Sequence, residues 1–494
     1  MLEGALLRSF GISVDPKLLT VEGRKLITPS VSFLKYNKRS PVPVDKGSWN
    51  YKSCKVVRGA NIGNWSVVQI NLSNFPNENQ MVHENELQEF EKFMKDSGLV
   101  ASARVPSNPP MISRRDAEGD QLHRIFQWAK KNQIKFLLVI FSARADSSLY
   151  AKVKLLGDCE YGIHTSCIVK PKMEKGKASY AANIVLKLNL KAGGINHVLT
   201  QDIQLLKAGK TMVVGYDVTH PTNMPETKGS SAPPSLVGMV ASTGPDLAQW
   251  PSTTWEQTSK QEMLDDTLVE KFKHHLQIWQ ERNNGNLPSN VIVFRDGVSE
   301  GQFSQVLDQE LSFIKEACRQ MYGAKSQPRF TIVVSVKRHQ TRFYPAQEGR
   351  DEGASGNIEA GTVVDRGVTQ ARYWDFYLTA HHALKGTARP AHYTVLMDEI
   401  FRAEYKQGAA NELEKLTHEL CYLFGRATKA VSICPPAYYA DIVCERARVH
   451  RPDMFDASDT ESMATAATGQ TGGTSGRAQG PKVHPDLANS MYYI

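Results

Sequence analysis

Three aspartates stand inside segments whose other residues belong in a core. Asp217 interrupts the strand-like run VVGYDVTHP, Asp296 ends a strand in VIVFRDGVSEGQF, and Asp441 lies in the helical stretch AYYADIVCERARVH. Charges are rarely buried unless they are paired or bind metal. A fold that admits all three must expose them singly or bring them together around a cation. Carboxylates carried on strand ends and a helix are a usual way to hold two Mg2+ ions for phosphodiester cleavage. Ions about 3.5–4 Å apart need several hard oxygen ligands converging from separate elements. Each aspartate also has a plain reading. Asp217 could accept from the Thr219-His220-Pro221 turn, Asp296-Gly297 is a turn dipeptide, and Asp441 could simply face water.

A chain of 494 residues is long enough for two to four domains of roughly 100–200 residues. Its 41% hydrophobic and 22% charged content suits water-soluble cores. The net charge of +8 is a mild bias towards polyanions. Seven cysteines are scattered with no CxxC pair, which favours reduced thiols in a cytosolic or nuclear compartment over a disulfide or zinc framework. The N-terminus shows no charged leader followed by an apolar core, and the longest apolar run, FLLVIF at 136–141, is too short to cross a bilayer. A soluble, cytoplasmic, monomeric protein without a membrane partner is expected.

Residues 1–65, rich in Pro, Lys and Ser, read as a linker. From about 66, SVVQINL is a strand, ENELQEFEKFMKDSG a helix ended by Gly98, ASARVPSNPP a loop, GDQLHRIFQWAKKN a helix and KFLLVIF a buried strand. SSLYAKVKLLGDCEYG opens a third helical unit. This alternation implies parallel strands with crossover helices, hence an α/β domain over 66–203. A second α/β domain over 204–494 is expected to place strands at 211–217, 236–243, 291–296, 330–336 and 393–398. Its helices are expected near 257–281, 301–321, 367–385, 411–427 and 436–449. The stretch 455–480 is Gly/Ser/Thr/Ala-rich and reads as a disordered loop, while the apolar ending HPDLANSMYYI reads as a docked terminus.

GYDVTHP, then FRDGVSEGQF, VKRHQTRFYP, GNIEAGTVVD, HYTVLMDE and VSICPPAYYADIVCERAR, in that order, resemble the PIWI domain of eukaryotic Argonaute proteins. LYAKVKLLGD, TSC and NIVLKLNLKAGGIN before them resemble the MID domain, and RSFGISVDPKLLTVEGRKL resembles the preceding linker. The resemblance runs across nearly the whole chain. It implies a Rossmann-like MID domain followed by an RNase H-like PIWI domain, the C-terminal lobe of a longer protein whose N-terminal and PAZ domains are not in this sequence. Loop composition and Asp441 suggest a fungal member. The resemblance further implies Asp217, Asp296 and Asp441 as ligands of Mg2+, with Mn2+ as a substitute. Most animal and plant members carry His where this chain has Asp441, and a carboxylate remains a hard ligand. Glu262, in SKQEMLDD, matches the mobile glutamate that completes the family's site; read without the family it is an ordinary solvated helix residue.

Segment 151–191 holds eight lysines against three acids. A solvated basic face explains Lys170 to Lys177. Lys187 and Lys191 lie one turn apart if NIVLKLNLK is helical. In the family pattern they meet Lys154 at the 5′ phosphate of a guide strand, with Tyr150 stacking on the first base, the turn Thr165-Ser166-Cys167 offering donors, and Arg446 reaching across from PIWI. Ser166 is shorter than the glutamine often found at its position. Lys337, Arg338, His339, Arg342 and Arg350 form a basic run that would follow a nucleic-acid backbone. The expected partners are a small guide RNA, a complementary target RNA and proteins of a silencing complex. The expected activity is guided, Mg2+-dependent cleavage of target RNA. A guide-binding scaffold that does not cut and an unrelated RNase H-fold nuclease are the competing readings; the latter leaves the lysine-rich first domain unexplained.

Overall fold

The computed structural model describes residues 5–73, 82–105, 110–145, 147–221, 233–346, 356–383, 385–455 and 480–494. The low-complexity stretch at 456–479, Asp146 and Arg350 lie outside the described residues. Within residues 1–65, β1 (Arg24–Lys25), β2 (Val31–Lys35) and β3 (Lys38–Val42) form. Tyr36 and Asn37, at φ 51° and 60°, make the two-residue turn of the β2–β3 hairpin, a geometry that matches strand twist. Val31 and Phe33 are fully buried, so this part of the expected linker contributes to the core.

The first sheet contains β4 (Asn61–Asn71), β5 (Val100–Arg104), β6 (Met111–Ser113), β7 (Phe136–Phe141) and β8 (His164–Val169). All its pairings are parallel, in the order β8–β7–β4–β5 with β6 also against β4. Helices α1 (Glu84–Asp96), α2 (Gln121–Lys131) and α3 (Ser147–Leu155) lie in the crossovers, and α4 (Lys170–Lys191) follows the last strand, β8. Every residue of β7 is buried, as expected for a parallel strand covered on both faces. ASAR, the start of the expected loop, belongs to strand β5: Arg104 is buried and paired with Glu84 and Glu91 of α1, at 2.8 Å from Glu91. Lys170 is buried too, contrary to the solvated face expected of it.

Strand β9 (Val198–Leu199) pairs with β2 and leads into the second sheet. That sheet is built from β10 (Thr211–Thr219), β11 (Ser235–Ala241), β12 (Ser252–Gln257), β13 (Asn290–Asp296), β14 (Arg329–Val336), β15 (Thr362–Val364), β16 (Trp374–Thr379) and β17 (Ala391–Asp398). The order is β1–β15–β16–β17–β14–β13–β10–β11–β12, parallel only across β10–β13–β14. Helices α5 (Thr267–Arg282), α6 (Leu311–Tyr322), α7 (Ala409–Cys421) and α8 (Pro435–Val449) accompany it. The helix expected at 367–385 is absent there: WDFYLT forms a strand, because its aromatic residues gain partners on both β15 and β17. The helix expected from 257 starts only at Thr267, since residues up to Gln257 complete the edge strand β12, and α7 ends at Cys421.

One apolar cluster runs from Phe33 and Val67 through Phe136 and Leu188 to Val213, Phe294 and Tyr439, so the two sheets share a core. The docked terminus expected from the apolar ending is found: Met491 to Ile494 are buried in that cluster. Among the described residues no helix is long and apolar enough to cross a membrane.

Candidate active site and anion pocket

Strands β10 and β13 run parallel with Tyr216 opposite Arg295, so Asp217 and Asp296 follow on adjacent strands, about 4.8 Å apart along the hydrogen-bonding direction. The Asp217 Oδ1 lies 3.7 Å from where a methyl on Gly297 would sit, so it reaches over the end of β13. Helix α8 brings the third aspartate. It crosses the sheet where side chains are missing: a Cβ on Gly215 would lie 2.1 Å from the Pro436 carbonyl oxygen, and one on Gly238 would lie 2.7 Å from that of Ala440. Gly238 is the register partner of Asp217, so the close approach sets Asp441 beside the strand carboxylates.

The three acids sense one another. Burial and the Asp296 charge push Asp217 well above the usual carboxylate range, with Asp441 adding and Arg295 opposing. Burial and Asp441 push Asp296 up to about 7, against Arg295 and Arg338. Asp441 is raised by burial and held back by Arg338. As placed, they do not make a ready cage: among the described residues no group of three or more His, Cys, Asp or Glu side chains stands close enough to hold a metal ion. The donor set itself suits a hard divalent cation, being carboxylate oxygens whose mutual repulsion Arg295 and Arg338 offset only in part. A cation binding here would have to draw the side chains together.

Glu262 is attached to this group indirectly. Its carboxylate accepts from Arg295 at 2.9 Å and pairs with His220 Nε2 at 2.7 Å. The Arg295 guanidinium also donates to the Glu262 backbone carbonyl at 2.8 Å and to that of Asp296 at 2.7 Å. His220 Nδ1 in turn bonds Ser235 at 2.8 Å. Neither Arg295 nor His220 was singled out from sequence. Both sit close to an acid in the chain, Arg295 in FRDG and His220 in DVTHP.

A second feature is a cavity of about 250 Å³ between the two domains. Tyr150, Lys154, Thr165, Ser166, Cys167 and Lys187 line it from the first domain, and Arg446 from α8. The expected anion-binding set therefore converges, with one exception. Lys191 is buried behind the wall, its ammonium donating to the Tyr492 carbonyl, and does not line the cavity. Lys154 Nζ donates to the Thr165 hydroxyl at 2.8 Å and lies 5.5 Å from the Tyr150 ring centre. The Ser166 hydroxyl is buried without a partner among the described residues, which fits an acceptor arriving from the cavity. Burial, then Arg426, Lys154 and Arg446, push the Lys187 ammonium down to about 8, a cost an anion would relieve. Arg426 and the terminal Tyr493 and Ile494 also line the cavity and were not anticipated as pocket residues. The apolar ending is a sequence signal for Tyr493 and Ile494, and none marks Arg426.

Arg446 is fixed before any ligand arrives. It donates to Asp158 at 2.7 Å and to the Tyr492 and Tyr493 carbonyls at 3.2 and 3.1 Å, while His450 meets the same Asp158 oxygen at 3.0 Å. Burial alone would raise the Asp158 carboxyl; Arg446 and His450 outweigh it and hold the group well below the usual range. This buried pair bolts the first domain to α8.

The basic run splits. Arg338 acts on Asp296 and Asp441, and Lys337, pushed down to about 8 chiefly by burial, also feels Asp296. His339 instead bonds the Pro390 carbonyl at 2.9 Å, and Arg342 donates to the carbonyls of His339 and Thr341 at 3.0 and 2.7 Å. A cavity of about 780 Å³ beside β12 holds none of the expected site residues.

Residues 136–451 match the family model described as the Piwi domain. The chain is 32% identical to Protein argonaute 5 of Arabidopsis thaliana over 509 aligned residues, covering 99% of this chain and 48% of that protein. It spans about half the length of the curated relatives it matches. Its fold superposes with a TM-score of 0.79 on the C-terminal lobe of a budding yeast Argonaute, at 29% identity over 96% of this chain and 95% of that one. The same score and identity relate it to Kluyveromyces polysporus Argonaute with a guide RNA, over 97% of this chain and 54% of that one.

Proposed function

Because the chain belongs to the Argonaute family of Piwi-domain proteins, we propose that it binds the 5′-phosphorylated end of a small guide RNA and cleaves complementary target RNA. The observation that carries this reading is helix α8. A 15-residue helix sets Asp441 beside Asp217 and Asp296, and points Arg446, five residues on, into the lysine-lined cavity. One rigid element thus ties an anion pocket to an acidic site.

In the pocket, Lys154, Lys187, Arg426 and the Ser166 hydroxyl would take a terminal phosphate, with Tyr150 beneath the first base. Lys337 and Arg338 would follow the backbone past the acids. Asp217, Asp296 and Asp441 would hold Mg2+, or Mn2+ in its place, with Glu262 completing the set through its Arg295 and His220 tether. Bound there, a pair of divalent ions would neutralise the scissile phosphate and favour deprotonation of the attacking water. The chain's own part is to aim carboxylates and exclude stray charge. Asp441 favours a fungal member, and seven free cysteines favour a reducing, cytoplasmic setting with silencing-complex partners.

A guide-binding scaffold without cleavage is the second reading, favoured by the absence of a preformed cage among the described residues. One assay separates them: the intact protein with a 5′-phosphorylated guide, a matched target RNA and Mg2+. The nuclease reading expects a single cut, lost in Asp217→Ala and Asp296→Ala while guide binding survives, and weaker binding of a 5′-hydroxyl guide. Wild-type cutting by either variant overturns the acidic assignment, and equal affinity for both guide ends overturns the pocket.

A further inference from the structure

Behind the acids, the second sheet hides a fully buried ion pair, of which Arg295 tethers Glu262 and Glu310 has no part yet assigned. Arg295 and Glu310 both have side chains with no solvent exposure. Removing two charges from water costs more than their attraction returns unless further bonds satisfy them, so such a pair is weak evidence of stability alone. Here every acceptor position of the Glu310 carboxylate is engaged. Oε2 accepts from the Tyr216 hydroxyl at 3.0 Å and Arg295 Nε at 3.3 Å, and Oε1 from Arg295 at 3.2 Å and the Leu264 backbone N–H at 3.0 Å.

The partners are informative. Leu264 lies two residues after Glu262, so Glu310 pins the loop that carries Glu262 directly. Arg295, oriented by Glu310, grips the Glu262 carboxylate and carbonyl and the Asp296 carbonyl with its remaining N–H groups. Tyr216 precedes Asp217 and Arg295 precedes Asp296, so alternation along β10 and β13 puts this cluster on the sheet face opposite the acids. Glu310 is delivered by a π-helical turn over Val306–Glu310 that precedes α6. Such turns insert a residue into a helix and re-aim its side chains, and they concentrate at functional sites.

We propose that Glu310, itself held by Tyr216, is a positioning residue for the cleavage reaction: it orients Arg295 and the 262–264 loop so that Glu262 and Asp296 keep a fixed relation. This rests on the nuclease reading. Glu310 touches neither substrate nor ion; it acts through Arg295 and Leu264. Its removal therefore weakens divalent-cation binding and the chemical step and leaves guide binding alone.

The test uses the intact protein loaded with a 5′-phosphorylated guide and a matched target, comparing wild type with Glu310→Gln and Tyr216→Phe. Glu310→Gln keeps the shape and loses the charge; Tyr216→Phe removes one hydrogen bond and leaves the ion pair. Mn2+ affinity is read by electron paramagnetic resonance on a non-cleavable target, and the single-turnover rate on a cleavable one. The expected result is a loss of about 10- to 100-fold in Mn2+ affinity or rate for Glu310→Gln, a smaller loss of the same kind for Tyr216→Phe, and unchanged guide affinity in Tyr216→Phe. If Glu310→Gln no longer binds guide, Tyr216→Phe decides, and its matching wild type in both readouts overturns the inference. Folded Glu310→Gln with wild-type Mn2+ affinity and rate overturns it as well. If wild type neither binds Mn2+ nor cuts, the nuclease reading fails and this inference falls with it.

Discussion

Burial and the nearby Asp441 charge raise the Asp296 carboxyl to about 7 from an ordinary value of 3.8. The folded chain then keeps a proton that the unfolded chain has released. The stability owed to this group is full below about pH 4 and is lost as pH rises through about 7. Partial exposure of the side chain to solvent moderates the effect. For the metal-free chain, Asp296→Asn removes the loss. We expect the variant to be more stable than wild type by on the order of 1–3 kcal/mol near pH 8, with the gap closing near pH 5. Chemical denaturation at both pH values checks this, and parallel pH dependences would contradict it. The aspartates were legible in sequence because a charge inside VVGYDV or VIVFRD is conspicuous. Their supports were not. Arg295 and Glu310 become a pair only when β13 and the π-helical turn before α6 pack together, and no spacing announces that.

At the scale of elements, α8 and the glycines beneath it set the geometry. Residues five apart on a helix point roughly 140° away from each other, which lets Asp441 and Arg446 serve different sites. Gly215 and Gly238 permit the helix to lie against the strand backbones. An alanine at Gly238 places a methyl 2.7 Å from the Ala440 carbonyl and 2.9 Å from the Cys444 nitrogen, both backbone atoms that cannot turn aside. Gly238→Ala should destabilise the protein by roughly 1–3 kcal/mol and weaken Mn2+ binding by displacing Asp441. Thermal melts with and without Mn2+ measure both effects, and a variant that melts and responds like wild type would rule out the close approach. Strands and helices of the first domain were readable from alternation, since β7 is apolar throughout and α1 and α2 are amphipathic. At Trp374–Thr379, inside the stretch 367–385 that reads as a helix, the local pattern points the wrong way. Pairing with β15 and β17, invisible to a local reading, decided in favour of a strand.

In the molecule as a whole, a shared core and the Asp158–Arg446–His450 bolt hold the two domains so that the cavity between them has walls from both. That explains why the pocket was only half legible: the lysines of the first domain form a visible cluster, whereas Arg426 and the C-terminal residues reach it from the far end of the chain. The acidic site raises the sharper question, because its carboxylates lie side by side without yet forming a cage. Diffraction from crystals of the guide-loaded protein soaked in Mn2+, recorded at the manganese absorption edge, addresses it directly. An anomalous peak is expected, with oxygens of Asp217, Asp296 and Asp441 within about 2.0–2.2 Å of bound ions. Manganese bound elsewhere, with any of the three carboxylates turned to bulk solvent, would contradict it.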